Sequence, residues 1–319
     1  MARPLSTLRV GFVPEHFSTP LHFAVRHHGL RASLVPFPSG TGHMVKALRG
    51  DEIDVGIGLT EGWVAAAGEE VAAAREKGEK EERGIKLVGT YVETPLCWGI
   101  STGATREDVC GVEDLKGKGI GVSRIGSGSY IMGFVLADQQ GWLSLPSQIS
   151  SSEPPPPPFN VKVLSTFQNL RDAVNARAAD FFMWEHFTTK RYWDSGEIKR
   201  IGEIYTPWSS WKIATTTALL TAPESKRLLE DLFAKLDMGT SEFKEKGGAD
   251  GGEVVKFIAG EMDYSEEDAR EWYKGVRFAD KVEGVDEGVI GRTIEILRKA
   301  GVVRAEKFGP DDVIAMKRK

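Results

Sequence analysis

Strand-like and helix-like segments alternate over the first sixty residues, and this alternation restricts the fold more than any other feature of the chain. Three short apolar runs are typical of strands, and two segments with helical apolar spacing separate them: strands at 8–13, 31–37 and 53–59, helices at 19–26 and 43–49. Gly29 and Gly50 follow the two helices and are typical helix stops. This order favours βαβ units and a parallel sheet.

A second series of the same kind begins near Trp98. We predict strands and helices in the following positions: strands at 119–122, 161–164 and 179–184, helices after the GSGSY stretch and at 167–175. From Pro223 onward helical patterns dominate. A chain of 319 residues is long enough for about two domain-sized units, and we predict an α/β fold.

Composition excludes several classes of function. The net charge is -5, and no long basic run is present to neutralise a nucleic-acid backbone, so we expect no nucleic-acid partner. No segment has the length and apolarity of a signal-peptide core or a membrane span, which predicts a cytoplasmic protein with no membrane contact. The two cysteines, Cys97 and Cys110, fit a reduced compartment and exclude a disulfide scaffold.

The stretch GVSRIGSGSY at 121–130 does not match the motifs that it superficially suggests. Its glycine spacing differs from the dinucleotide-binding fingerprint, and Ile125 stands where the hydrolase elbow G-x-S-x-G requires glycine. What remains is a strand that enters a helix through a glycine–serine turn, which exposes N–H groups and hydroxyls at a positive helix end. Residues 39–42 (SGTG) repeat this arrangement in the first half. Plain helix capping is the alternative for each turn taken alone.

Acids, aromatic residues and hydroxyls collect where the predicted strands end. In open α/β sheets ligands bind outside the carboxyl ends of the strands. The candidate ligand-binding residues are therefore Glu15, His16, Ser39, Gly40, Thr41, Thr60, Glu61, Glu93, Trp98, Ser123, Ser127, Gly128, Ser129, Trp184, Glu185 and His186. His16 and His186, each taken alone, fit a loop or core histidine better than a catalytic base. We assign no catalytic residue, no metal ligand and no cofactor.

Four segments carry a resemblance to a known family: LRVGFVPE from Leu8, GTGHMVKALRGDEIDVGIGLTEG from Gly40, VEDLKGKGIGVSRIGSGSY from Val112, and ADFFMWEH from Ala179. The chain resembles the type 2 periplasmic-binding-protein superfamily, in the branch that holds the nitrate-, sulfonate- and thiamine-pyrimidine-precursor-binding proteins of ABC transporters. It is most similar to a cytosolic fungal group without signal peptide, which is related to the yeast enzymes that make the thiamine pyrimidine.

The resemblance implies two lobes, each a mostly parallel sheet flanked by helices, which close on a ligand in the cleft between them by hinge motion. It places residues 1–94 and 207–319 in a discontinuous first lobe and residues 95–206 in the second. The proline-rich stretch at about 145–160 is then an exposed insertion in the second lobe. The chain departs from the family in two ways, because it lacks the cysteine-rich iron motif of the pyrimidine synthases and a signal peptide. Neither that chemistry nor a transporter partner is therefore supported.

Three hypotheses of function follow. The first is an intracellular, non-catalytic binding protein for a small polar metabolite, such as an aminopyrimidine or a thiamine-precursor-like molecule. Under this hypothesis Trp98 or Trp184 stacks on the ring of the ligand, and Glu61 and Glu185 accept hydrogen bonds from its ring amines. The turns at 39–42 and 123–129 hold an anionic group of the ligand.

The second hypothesis is an enzyme of pyrimidine or thiamine-precursor metabolism on the same fold, with Glu93 or His186 as the proton-transfer group. The third is a regulatory ligand sensor that uses the polyproline stretch as its partner contact. Substrate turnover would favour the enzyme, and loss of a partner on deletion of residues 153–158 would favour the sensor.

Overall fold

The computed structural model describes residues 7–78, 84–143, 158–305 and 307–318. Two compact units emerge: the first holds Met1–Thr94, Trp208–Arg292 and Ala305–Lys319, and the second holds Pro95–Pro207 and Thr293–Arg304. The sequence-based boundaries placed all of 207–319 in the first lobe, whereas Thr293–Arg304 belong to the second unit. Most of the proline-rich stretch, residues 144–157, lies outside the described residues.

The first sixty residues form the βα series that the sequence predicts, and a further helix and strand extend it. Its elements are β1 (Leu8–Phe12), α1 (Thr19–His28), β2 (Ala32–Pro36), α2 (Thr41–Arg49), β3 (Val55–Leu59), α3 (Thr60–Lys77) and β4 (Ile85–Val92). Gly29 ends α1 in the left-handed conformation, with φ of 70°, as a C-terminal glycine commonly does. Gly56 lets α3 approach the sheet, because a Cβ there would lie 2.7 Å from the ring of Trp63.

The second series builds the middle of the chain. Its elements are β5 (Cys97–Gly103), β6 (Gly119–Val122), α4 (Gly128–Gln139), β7 (Asn160–Val163), α5 (Phe167–Asn175), β8 (Phe181–Glu185), α6 (His186–Asp194) and β9 (Ile198–Tyr205). The helix α6, which begins directly after β8, was not predicted from the sequence. Leu170, Val174 and Phe182 belong to the buried apolar cluster between α5 and the sheet.

One strand and then helices complete the chain: β10 (Trp211–Thr216), α7 (Thr217–Thr221), α8 (Ser225–Gly247), α9 (Gly252–Glu261), α10 (Glu266–Gly275), α11 (Glu287–Lys299) and α12 (Pro310–Val313). The helix α10 begins after Ser265, whose hydroxyl accepts from the Asp268 N–H at 3.0 Å. Within the part of the chain that the structure describes, no helix is long and apolar enough to cross a bilayer.

Each unit contains one five-stranded sheet with the same pattern of directions. The first sheet has the order β2-β1-β3-β10-β4, and the second has the order β7-β6-β8-β5-β9. β10 runs antiparallel to both β3 and β4, and β5 runs antiparallel to both β8 and β9. The other four strands of each sheet therefore share one direction. The prediction of two mostly parallel sheets flanked by helices is confirmed.

Candidate functional site

The strand directions collect polar residues at one edge of each sheet. In the first unit the carboxyl ends of β1 to β4 meet the amino end of β10, where Trp211 lies opposite Leu59 and Val92. In the second unit the carboxyl ends of β6 to β9 meet the amino end of β5, where Cys97 lies opposite Tyr205. We call these the first and second binding edges. All sixteen candidate residues lie at or beside one of them.

The SGTG turn at the first binding edge is used mainly for structure. Gly40 precedes α2 with φ of 78°, a conformation that favours glycine, and Ser39 is exposed. The Thr41 hydroxyl accepts from the Leu59 N–H at 2.8 Å and so ties α2 to the end of β3. This contact gives the turn a packing role, whereas Gly40, the residue before α2, supplies no side-chain cap.

Thr60 and Glu61 are fully buried at the start of α3. The Thr60 hydroxyl donates to the Ser209 carbonyl at 2.6 Å, and the Glu61 Oε2 accepts from the Trp208 indole N–H at 3.0 Å. Both residues thus hold the segment that enters β10. The contact with Trp208 joins an acid and an aromatic residue that lie far apart in the sequence.

Lys212 is a buried cation at the first binding edge that the sequence analysis missed. It lies on β10, is 1% exposed, and donates to the Ser209 Oγ at 2.5 Å. Burial lowers the pKa of Lys212 to about 7, although the negative charge of Glu93 acts in the opposite direction. The sequence did not indicate that Lys212 is a site residue, because the rest of β10 has the pattern of an ordinary buried strand.

The remaining candidates of the first unit have protein partners. The ring of His16 packs against Tyr264 and Trp272, with centroids at 4.4 and 4.3 Å, and burial lowers its pKa well below the ordinary value. Glu15 lies beside it at the start of the short helix His16–Ser18. These features identify His16 as a neutral core histidine.

Glu93 forms an ion pair with Arg318 at 2.6 Å, on the wall of an open cavity of about 750 Å³ in the first unit. A second pair on that wall joins Lys281 to Asp237 at 2.9 Å. Because these four charges of the wall are paired, we assign no ligand to this cavity.

At the second binding edge the glycine–serine turn caps a helix. Ser127 precedes α4 and its hydroxyl accepts from the Tyr130 N–H at 3.3 Å, while Gly128 is the first residue of the helix. The hydroxyls of Ser127 and Ser129 lie 3.0 Å apart, and both residues are buried. The Ser123 carbonyl accepts from the Ser165 N–H at 3.2 Å.

Neither tryptophan proposed for ring stacking is well exposed. Trp98 is 5% exposed within β5. Trp184 is half-buried and stacks on Phe167, with centroids at 4.8 Å and an angle of 14° between the rings. Both therefore contribute to packing in the second unit.

Large apolar side chains are nevertheless exposed at the second binding edge. Ile125 in the glycine–serine turn is 60% exposed, and Val163 and Tyr205, the last residues of β7 and β9, are each 53% exposed. Of the large hydrophobic residues exposed in the described ranges, only Met238 on α8 lies elsewhere. Sequence reasoning missed this group, because its members come from three separate strand ends.

Glu185 and His186 mark the junction of β8 and α6. The Glu185 Oε2 accepts from the Thr188 N–H at 2.6 Å, and burial raises the pKa of this carboxyl to about 7. The His186 Nδ1 lies 3.7 Å from the Cys97 Sγ and 3.5 Å from the Glu203 Oε2. Burial also raises the pKa of the Cys97 thiol to about 12. No metal-ligating cluster was predicted from the sequence, because only the pairing of β5 with β8 and β9 brings these three groups together.

Comparison with known proteins places these features in a family. The family model described as Ca3427-like PBP matches residues 98–204. The structure of the Candida albicans CA3427 gene product is 37% identical, covers 99% of this chain and 98% of its own, and has a TM-score of 0.81. That protein is described as defining a new family with the generic periplasmic-binding-protein fold.

Two more distant structures share the fold. The alkanesulfonate-binding protein SsuA of Xanthomonas axonopodis pv. citri is 16% identical, with a TM-score of 0.71 over 99% of this chain and 100% of its own. The nitrate-binding protein NrtA of Synechocystis PCC 6803 is 11% identical, with a TM-score of 0.67 over 99% of this chain and 87% of its own. Among curated proteins, none matches the chain in sequence. The identity and coverage of the Candida albicans structure show that this chain belongs to the family of periplasmic-binding-protein fold that the CA3427 product defines.

Proposed function

We propose that the chain is a binding protein for a small polar metabolite that contains a ring. The observation that carries this proposal is the second binding edge, where the same end of one sheet carries exposed apolar side chains and buried polar ones. Ile125 and Tyr205 offer apolar surface, while Ser129 and Glu185 offer a hydroxyl and a carboxyl. Ligand sites in proteins characteristically combine apolar walls with a few convergent polar groups.

The structure changes the roles that the sequence suggested for individual residues. Tyr205 replaces Trp98 and Trp184 as the proposed stacking residue, because its ring is exposed and theirs are packed. The hydroxyls of Ser127 and Ser129 at the start of α4 are the proposed partners of an anionic group of the ligand. The names of the alkanesulfonate- and nitrate-binding proteins, which share the fold, support a small molecule with such a group.

An aminopyrimidine or a thiamine-precursor-like molecule is the ligand class that we propose. A carboxyl whose pKa lies near 7, such as that of Glu185, can accept from or donate to the amino and ring-nitrogen groups of an aminopyrimidine. We also propose an intracellular location, which two free cysteines support. Hinge closure on the ligand stays a prediction, to be checked by solution scattering with and without the ligand.

Two measurements test the ligand class. Mass spectrometry of small molecules released from the purified protein by denaturation is expected to identify a ring-containing amine. Thermal-shift screening against aminopyrimidines, thiamine precursors, sulfonates and amino acids, with a chelator present, is expected to give the largest stabilisation with the first two. Stabilisation by none of the pyrimidines would remove that ligand class.

Two substitutions test the site itself. Tyr205→Ala is expected to weaken binding about fivefold, because stacking of aromatic rings contributes about 1 kcal/mol. Tyr205→Phe keeps the ring and is expected to bind almost as well as the wild type. Met238→Ala is the matched control, since Met238 is also exposed but lies on α8. Equal affinity of Tyr205→Ala and the wild type would exclude the second binding edge as the stacking surface.

A further inference from the structure

Three residues of the second unit place different metal-binding atoms next to one another. Cys97 is the first residue of β5, His186 is the first residue of α6, and Glu203 lies near the end of β9. The sheet order brings them together, because β5 lies between β8 and β9. The Cys97 Sγ, the His186 Nδ1 and a carboxylate oxygen of Glu203 all lie within 4.8 Å of one another.

The separations of these atoms resemble those in a tetrahedral zinc site. With Zn–S of about 2.3 Å and Zn–N or Zn–O of about 2.0–2.1 Å, tetrahedral angles require S···N of about 3.6 Å and N···O of about 3.4 Å. The observed distances are 3.7 Å from the Cys97 Sγ to the His186 Nδ1 and 3.5 Å from that nitrogen to the Glu203 Oε2. Two of the three separations therefore match a tetrahedral site, and the third, from the Cys97 Sγ to a Glu203 carboxylate oxygen, is at most 4.8 Å.

The chemistry of the three groups selects among metals. Magnesium and calcium prefer oxygen ligands, whereas a thiolate, an imidazole and a carboxylate together suit Zn²⁺. The side chain of His186 is 10% exposed and that of Glu203 is 34% exposed, so the group is reached from solvent on the Glu203 side. Three protein ligands leave the fourth position to water or to another molecule.

One neighbouring cation opposes a metal ion at this position. The Arg200 guanidinium forms an ion pair with the same Glu203 oxygen that faces His186. The side chain of Arg200 is 45% exposed, so it can turn away into solvent. Removal of its charge is therefore expected to strengthen metal binding rather than to weaken it.

We propose that Cys97, His186 and Glu203 form a Zn²⁺-binding site. This inference is independent of the proposed function, because the probe is the metal ion alone and the small-molecule screen contains a chelator. A negative result with the metal ion therefore does not affect the proposed function, and a negative small-molecule screen does not affect the zinc site. The two sites adjoin at the same binding edge.

Co²⁺ titration tests the proposal, because tetrahedral cobalt bound to a thiolate has an intense charge-transfer absorption. The wild type is expected to develop this absorption and Cys97→Ser to lack it. Cys110→Ser is the matched control, since Cys110 is the second cysteine, is exposed, and donates to the Glu107 carbonyl at 3.2 Å. An absorption that persists in Cys97→Ser, or that disappears in Cys110→Ser, would overturn the proposal.

Equilibrium dialysis with Zn²⁺ gives a second measurement that does not depend on the cysteine variant folding. Glu203→Gln is expected to lower the affinity at least about tenfold, and Arg200→Gln is expected to raise it several-fold. His27 and His28, which contact Glu242 in the first unit at 2.8 and 2.7 Å, serve as the control for zinc binding elsewhere on the protein. Zinc binding that is lost in the His27→Ala, His28→Ala double variant but kept in Glu203→Gln would refute the assignment.

Discussion

Replacement of Lys212 by methionine is expected to change how stability depends on pH. Burial holds the pKa of Lys212 at about 7 in the folded protein, against the ordinary value of 10.5. Between these two values the unfolded chain carries the proton and the folded protein loses it. The folded pKa is depressed, so the free energy of unfolding contributed by this group rises with pH across that window.

The size of the effect follows from the proton difference. At pH 7 the unfolded chain binds about half a proton more than the folded protein at this lysine, and at pH 9 it binds about one more. At about 1.4 kcal/mol per proton and pH unit, the wild type gains about 2 kcal/mol of stability from pH 7 to pH 9 through Lys212. Lys212→Met lacks this gain. The methionine side chain has a shape similar to that of lysine. Ser209 loses the lysine as a hydrogen-bond donor, but it is only half-buried and can bind water instead.

Urea denaturation followed by tryptophan fluorescence at pH 7 and pH 9 measures the difference between the two proteins. Comparison with the variant removes the contribution of all other titrating groups. Lys226→Met is the matched control, since the Lys226 side chain is 87% exposed and the variant should follow the wild type. If the free energy of unfolding changed equally from pH 7 to pH 9 in Lys212→Met and in the wild type, Lys212 would be shown to stay charged in the folded protein.

Two further predictions concern the first unit. Burial lowers the pKa of His16, so wild-type stability is expected to fall as the pH drops below the ordinary value of 6.5. His16→Phe should lose part of this dependence, and equal urea midpoint shifts from pH 7 to pH 5 in both proteins would contradict the assignment. Trp208→Phe removes the donor to the buried Glu61 carboxylate and is expected to cost about 1–3 kcal/mol of unfolding free energy. Glu61→Gln keeps an acceptor for Trp208 and should cost less, and an unchanged midpoint in Trp208→Phe would refute a structural role of this bond.

Local pattern determined most of the secondary structure. The helix stops at Gly29 and Gly50 and the helix start at Ser265 follow from backbone preferences that act over a few residues. The same patterns located the strand ends and so identified both binding edges. The helix α6 escaped prediction, because Glu185 serves both as the end of β8 and as the cap of the helix.

Tertiary structure decided which side chains at these edges are buried, exposed or adjacent. β10 inserts between β3 and β4 and carries Lys212 inward, while β5 inserts between β8 and β9 and brings Cys97 to His186 and Glu203. Periodicity specifies the face on which a side chain lies but not the strand that pairs with it, because pairing depends on contacts between distant parts of the chain. For the same reason the sequence identified Trp98 and Trp184 by residue type, whereas packing covered both and left Tyr205 exposed.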